Sequence, residues 1–355
     1  MASVRIASLS AELVEIPLRR PFATAQDRLD RQVSRPVRVR VGLDNGRIYV
    51  GETVAVQYVT GETPEATISA IRSAAPALEG AALSTPRLAI NAAAAALDGA
   101  PAAVAGLEIA VLRAFAGEAG ISLLSLFGGA RTSIESDLTL SLADDPAEGA
   151  REAVRQGYRR LKLKVGSPDP GDDLARLRAT ASAAPDAILR VDANQAFSDA
   201  GEAIRWLRAA TTVCPRIELV EQPTPKDDLR ALDAVARAFP GLVFADEACR
   251  TPALAHAIVT RTQAAGLNLK LMKSGVAGLL ESGAVARAAG RRLMVGCMLE
   301  TALGIGFAAA LACGTGWFDF ADLDSHLLLD APGPCPHFTQ RGPIIEPSLQ
   351  PPAPE

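Results

Sequence analysis

Apolar and polar residues change their period near residue 130. From about residue 3 to 57 they alternate as in strands, in VRIASLSAELVEI and PVRVRVGLDNGRIYVGETVAV, with Asp44, Asn45 and Gly46 supplying turn chemistry between runs. Helix-period stretches follow, from ETPEATISAIRSAAPALEG to AGLEIAVLRAFAGEAG, so the opening part predicts an α+β unit. Beyond Phe127, Gly128 and Gly129, strand-like runs alternate with amphipathic ones: LTLSLA, RRLKLKV, AILRVDAN, RIELVEQ, LVFADE, LNLKLM, RLMVGCM and FDFADLD. One intervening stretch, KDDLRALDAVARAF, places Leu229, Leu232, Ala236 and Phe239 on one face and acids in its first turn. Such alternation predicts a parallel sheet with helices outside, and enough units to close into a barrel whose active groups sit at the C-terminal strand ends. An open doubly wound sheet is the competing architecture, but no Gly-x-Gly-x-x-Gly or P-loop follows any strand. The expected division is 1–130, 131–326 and a Pro-rich tail, 327–355, packing back on the first unit.

Composition narrows the class. The 355 residues are 49% hydrophobic with net charge −4 and no basic block, which argues against nucleic acid as a partner. No segment has the form of a signal peptide or approaches the roughly 20 apolar residues of a membrane span, so a cytoplasmic protein is expected. Cys214, Cys249, Cys297, Cys313 and Cys335 form no Cys-x-x-Cys pair and are expected as free thiols.

The chemistry lies at the strand ends. Five successive strand-like segments end in Lys164, Asp192, Glu221, Asp246 and Lys270, roughly 24 to 29 residues apart, about one strand, loop and helix each. Singly, each acid reads as a helix cap or loop acid. Together on one barrel face they form three hard oxygen ligands without His or Cys, which suits Mg²⁺. Asn194, two residues beyond Asp192, shares its side and is expected to assist. Lys162 and Lys164 also share a face, since Leu161, Leu163 and Val165 take the other. Crowding these lysines near a metal favours a neutral amine, and a lysine tuned toward about 7 to 8 acts as a general base. A metal between two lysines fits removal of the proton α to a bound carboxylate, and return of a proton to the opposite face inverts the centre.

KLKVG, VDANQAF, VEQP, ADE and NLKLMKSG together resemble the muconate-lactonising subgroup of the enolase superfamily, over nearly the whole chain. The resemblance implies an α/β fold, a modified (β/α)7β TIM barrel with an α+β N-terminal capping domain. It also implies one Mg²⁺ per subunit on Asp192, Glu221 and Asp246, with Lys164 and Lys270 as acid/base pair and Lys162 beside them. The subgroup includes cycloisomerases, o-succinylbenzoate synthases, N-acylamino acid racemases and dipeptide epimerases. Asp322 and Asp324 in FADLDSH project to one side and, inside a pocket, need a cation; the pair is similar to the device with which dipeptide epimerases hold a substrate ammonium. GCMLETALGI, with Met298 and Glu300, and YVTGET, with Tyr58, look like dipeptide-epimerase segments, although Met298 also suits core packing and Glu300 a helix cap. The reading is thus a dipeptide epimerase, expected as a homo-oligomer acting on a small dipeptide. Members preferring alanyl-glutamate carry an arginine three residues after the Thr of PF-x-TA. Here PFATAQD places Asp27 three residues after Thr24, with Arg28 next to it. A neutral or cationic second residue is therefore expected, with Arg28 able to restore the acidic preference by a small loop shift.

Overall fold

The computed structural model describes residues 4–27, 31–330 and 337–355. The opening unit contains β1 (Ile6–Leu13), β2 (Ile16–Phe22), β3 (Arg31–Ser34), β4 (Val37–Leu43) and β5 (Ile48–Thr53). These precede α1 (Gln57–Thr60), α2 (Pro64–Leu78), α3 (Pro86–Ala92), α4 (Pro101–Ala119) and α5 (Leu123–Leu126). Strands β1, β4 and β5 form an antiparallel sheet in the order β1-β4-β5, and β2 pairs with β3. The predicted turn joins β4 to β5, with Gly46 at φ 85 and its N–H donating to Leu43 O at 3.0 Å. Alternation puts Val37, Val39 and Val41 on the face covered by Ile71 and Leu78 of α2 and Leu107 and Val111 of α4. Full burial of each such side chain stabilises by about 1.5–3 kcal/mol. Helix α4 lies so close to β5 that a Cβ on Gly51 would stand 2.5 Å from Gly106 O.

The strand β6 (Ile134–Glu135) leads into the barrel strands β7 (Leu138–Leu140), β8 (Arg160–Lys164), β9 (Ile188–Asp192) and β10 (Ile217–Glu221). They continue as β11 (Leu242–Ala245), β12 (Gly266–Leu269), β13 (Arg292–Gly296) and β14 (Phe320–Asp322). Between them run α6 (Pro146–Arg155), α7 (Pro170–Ala183), α8 (Ala200–Val213), α9 (Leu229–Ala238), α10 (Pro252–Arg261), α11 (Leu271–Ala288) and α12 (Ala302–Thr315). Strand order follows the sequence and every neighbouring pair is parallel, giving the (β/α)7β arrangement. Ser136 bridges Ala321, and Asp137 N donates to Ala321 O at 3.1 Å, so β14 meets the start of β7 and the sheet closes. Side chains of Asp145, Asp169, Asp199, Asp228, Thr251 and Thr301 each accept a backbone N–H at a helix start, worth about 1 kcal/mol apiece.

Leu219, Phe244, Met294 and Phe320 form a separate cluster inside the barrel, with Phe244 and Phe320 edge to face at 5.4 Å. Each lies two residues before a strand-end position, so this layer plugs the barrel beneath the charged residues. Arg190 stacks over Phe320 and pairs with Asp137 at 2.8 Å and Glu218 at 2.9 Å. The tail touches both the barrel and the opening unit. Its hairpin, β15 (Phe338–Arg341) and β16 (Ile344–Pro347), pairs with β6, and Phe338 and Ile345 join the barrel's core. It reaches the opening unit at both ends: Leu329 bridges Leu18 and Asp330 N donates to Pro17 O at 2.9 Å, while Glu355 N donates to Ile48 O and its carboxylate meets Arg40 at 2.8 Å. Among the described residues no helix is long and apolar enough to cross a membrane.

Candidate active site

Alternation along β8 turns Lys162 and Lys164 into the barrel; β9 and β10 end inside it with Asp192 and Glu221, and Asp246 and Lys270 follow β11 and β12. Carboxylate oxygens of Asp192, Glu221 and Asp246 lie within 4.8 Å of one another. Glu221 Oε2 is buried without an aligned hydrogen-bond donor, while Asn268 Nδ2 donates to Oε1 at 2.7 Å. Three converging hard oxygens, with no His or Cys among them, fit a hard divalent cation. The lysines flank this trio: β8 and β12 are four strands apart in an eight-stranded barrel, hence on opposite walls. Lys164 Nζ lies 2.6 Å from Asp192 and Lys270 Nζ 2.7 Å from Asp246.

Above the trio a cavity opens between the barrel and the cap. Its barrel side carries Thr139, Lys164, Asn194, Asp246, Glu247, Lys270, Cys297, Met298, Asp322, Asp324 and Ser325; its cap side carries Phe22, Thr24, Asp27, Arg31, Val56, Tyr58 and Val59. Burial raises Tyr58 to about 12, which keeps its hydroxyl neutral. Burial, then the charge of Asp322, raises Asp324 to about 6, and Thr139 N donates to its carboxylate at 2.6 Å. Asp322 is occupied instead by the Lys162 ammonium at 2.6 Å. Of the two acids, Asp324 is therefore the one with charge left for a ligand.

Residues 145–344 match the family described as enolase C-terminal domain-like. An aromatic dipeptide epimerase of Herpetosiphon aurantiacus is 35% identical over 326 residues, 91% of this chain and 91% of that protein. The chain belongs to the enolase superfamily. An L-Ala-D/L-Glu epimerase of Bacillus subtilis is 34% identical to it over 332 residues, 92% of this chain and 90% of that protein. The crystal structure of a dipeptide epimerase from Enterococcus faecalis, complexed with Mg and the dipeptide L-Leu-L-Tyr, aligns with a TM-score of 0.90 at 30% identity, covering 98% of each chain.

Several expected residues of this enolase-superfamily site stand elsewhere than the sequence suggests. Lys162, 1% exposed, is not on the cavity wall; it lies beneath, 2.9 Å from Asp192 and from Glu221. Burial disfavours the charge on Lys162 and on Lys270, but Asp192 in the first case and Asp246 in the second outweigh it and hold both ammoniums well above their usual range. The expected lowering belongs to the metal-loaded site, where a divalent cation on the trio would take over much of this negative charge. Glu300 does not reach the cavity: its Oε1 accepts from Met298 N at 2.9 Å, and Thr301, not Glu300, caps α12. Arg28 lies outside the described residues. Asn194 is at φ 41, accepts from Lys164 at 3.0 Å and offers its carbonyl to Gln26 of the cap at 2.9 Å.

Other residues were not singled out from the sequence. Lys273 is in the first turn of α11 and buried, donating to Asp246 Oδ1 at 2.6 Å and to Asn268 O at 2.7 Å. Two lysines thus hold Asp246 well below the carboxylate range against the pull of burial. The spacing in LKLMK, one helical turn from Lys270 to Lys273, was the available signal. Arg31, pairing with Asp27 on the cavity wall, had none, since strand β3 is short and its pairing with β2 irregular.

Proposed function

We propose that this protein is a Mg²⁺-dependent dipeptide epimerase, one ion per subunit, that inverts the α-carbon of the C-terminal residue of an L,L-dipeptide. The observation that carries the reading is one cavity with Lys164 and Lys270 on opposite walls and Asp324 exposed to it. Asp324 receives the substrate ammonium, which fixes the dipeptide's direction. Lys164 and Lys270 then face the α-carbon from its two sides, one taking its proton and the other returning one, which inverts the centre. A Mg²⁺ held by Asp192, Glu221 and Asp246 supplies, when bound, positive charge beside the substrate carboxylate as negative charge develops there. Lys162 beneath the trio and Lys273 behind Asp246 favour the ionised forms of Asp192 and Asp246 and hold those side chains in place.

The second residue is neutral. Named relatives include both an aromatic and an alanyl-glutamate epimerase, so family alone leaves this open. Asp27 and Arg31 cancel each other's charge on the cap wall, beside the apolar Phe22, Val56 and Val59.

Incubating the protein with Mg²⁺ and a small library of L,L-dipeptides in D₂O tests the reading. Deuterium should enter the C-terminal residue's α-carbon as optical rotation is lost. A new unsaturated product would indicate a lyase instead, and turnover of N-acyl amino acids without dipeptides an N-acylamino acid racemase.

A further inference from the structure

Helix α11 is broken one turn after it begins. Gly275 sits at φ 70 and ψ −177, so residues 270–274 form a separate turn carrying Lys270 and Lys273, and the long helix starts afresh at Val276. A glycine at that start has no side-chain oxygen to accept the first backbone N–H groups. The acceptor comes from the capping unit. Glu108 of α4, 2% exposed, accepts through Oε2 from Val276 N and from Ala277 N, while Arg87 holds its other oxygen at 3.0 Å. The contact is close enough to require glycine, since a Cβ at Gly275 would stand 2.3 Å from Glu108 Oε2. A second cap residue grips the same turn: Thr53 Oγ1 donates to Met272 Sδ at 3.1 Å. Lys164, by contrast, is held from within the barrel, by Asp192 and Asn194.

We propose that Glu108 is a positioning residue for Lys270, an inference that rests on the two-lysine reading above. The cap fixes where the broken helix begins, the turn of residues 270–274 hangs from that point, and the reach of Lys270 toward the α-carbon follows. Loss of Glu108 displaces one base and leaves the other in place.

Exchange from each epimer separately reads this asymmetry. In D₂O a lysine that takes the α-proton of one epimer can return deuterium to the same side, so wash-in with retention reports each lysine alone. Glu108→Ala should lower the kcat for inversion about 10- to 100-fold with KM little changed, as misplacing one group by an ångström does. Wash-in should fall equally for one epimer and stay near the wild-type rate for the other. Glu108→Gln keeps an acceptor oxygen and should recover most of the rate. Gly275→Ala presses on the same contact from the helix side and should reproduce the one-sided loss, which keeps the test decisive if Glu108→Ala folds poorly. Equal losses for both epimers, or unchanged kcat in the variants, overturns the proposal. A wild-type protein that exchanges neither epimer instead removes the two-lysine reading on which it stands.

Discussion

Replacing Asp324 with Asn isolates the substrate ammonium contact. The amide is nearly isosteric and keeps an oxygen for Thr139 N, which now donates to Asp324 at 2.6 Å, so the wall should hold its shape. What is lost is the charge. Asp322 cannot replace it, because its carboxylate is engaged by Lys162 at 2.6 Å. A hydrogen bond to a charged group contributes about 1.5–3 kcal/mol. At about 1.4 kcal/mol per factor of ten, Asp324→Asn should lower kcat/KM for an L,L-dipeptide by roughly 10- to 150-fold, mainly through KM. An N-acetylated amino acid has no ammonium and should lose little. Because Asp324 titrates near 6, the anion that binds the ammonium is present above that pH and lost below it. Wild-type kcat/KM for dipeptides should therefore fall as pH drops through about 6, and the Asn variant should lack that limb. Polarimetry on both substrates from pH 5 to 8 provides the assay. Equal losses on the two substrates, or none, would refute the ammonium contact.

Lys164→Ala and Lys270→Ala should each reduce inversion below detection by polarimetry, and full activity in either removes that lysine from the proton transfer. Asp246→Asn weakens the trio and releases Lys270 and Lys273, so Mg²⁺ affinity measured by calorimetry should fall by more than the ~10–100-fold typical of losing an outer partner; an unchanged Kd contradicts the site. Asp27→Asn frees the Arg31 guanidinium and should raise kcat/KM for alanyl-glutamate relative to alanyl-leucine, a ratio that competition experiments read directly. Burial raises Glu300 to about 8. A carboxyl raised above its unfolded value of about 4.3 stabilises below that pH, and the benefit is lost as pH climbs through 8. Glu300→Gln should thus be near neutral at pH 4.5 and raise Tm by pH 8.5, with a pH-independent difference counting against it.

Much of the barrel was legible because its signals are local. Period-two runs ending in a charge, spaced by one amphipathic helix, identify strands, their order and the face each side chain takes; all eight strand-like runs contain a strand, from β7 to β14. Asp192, Glu221 and Asp246 could be grouped because parallel strand ends must converge when a sheet closes. Depth was not legible. Lys162 and Lys164 share a face, yet two residues along a strand separate a lysine sealed beneath the carboxylates from one on the cavity wall. Likewise Glu300 lies next to the cap residue Thr301, but its direction depends on Met298 folding back, which no pattern encodes.

The chain's own pattern therefore determined the fold class, the strand order and which charges meet at one end of the barrel, because alternation and spacing are properties of neighbouring residues. Tertiary structure alone decided which lysines reach the cavity, that Arg31 neutralises Asp27, and that Glu108 of the cap holds the start of the broken helix after Lys270. Those contacts join residues far apart in sequence, and their geometry exists only once the cap has docked and the barrel has closed.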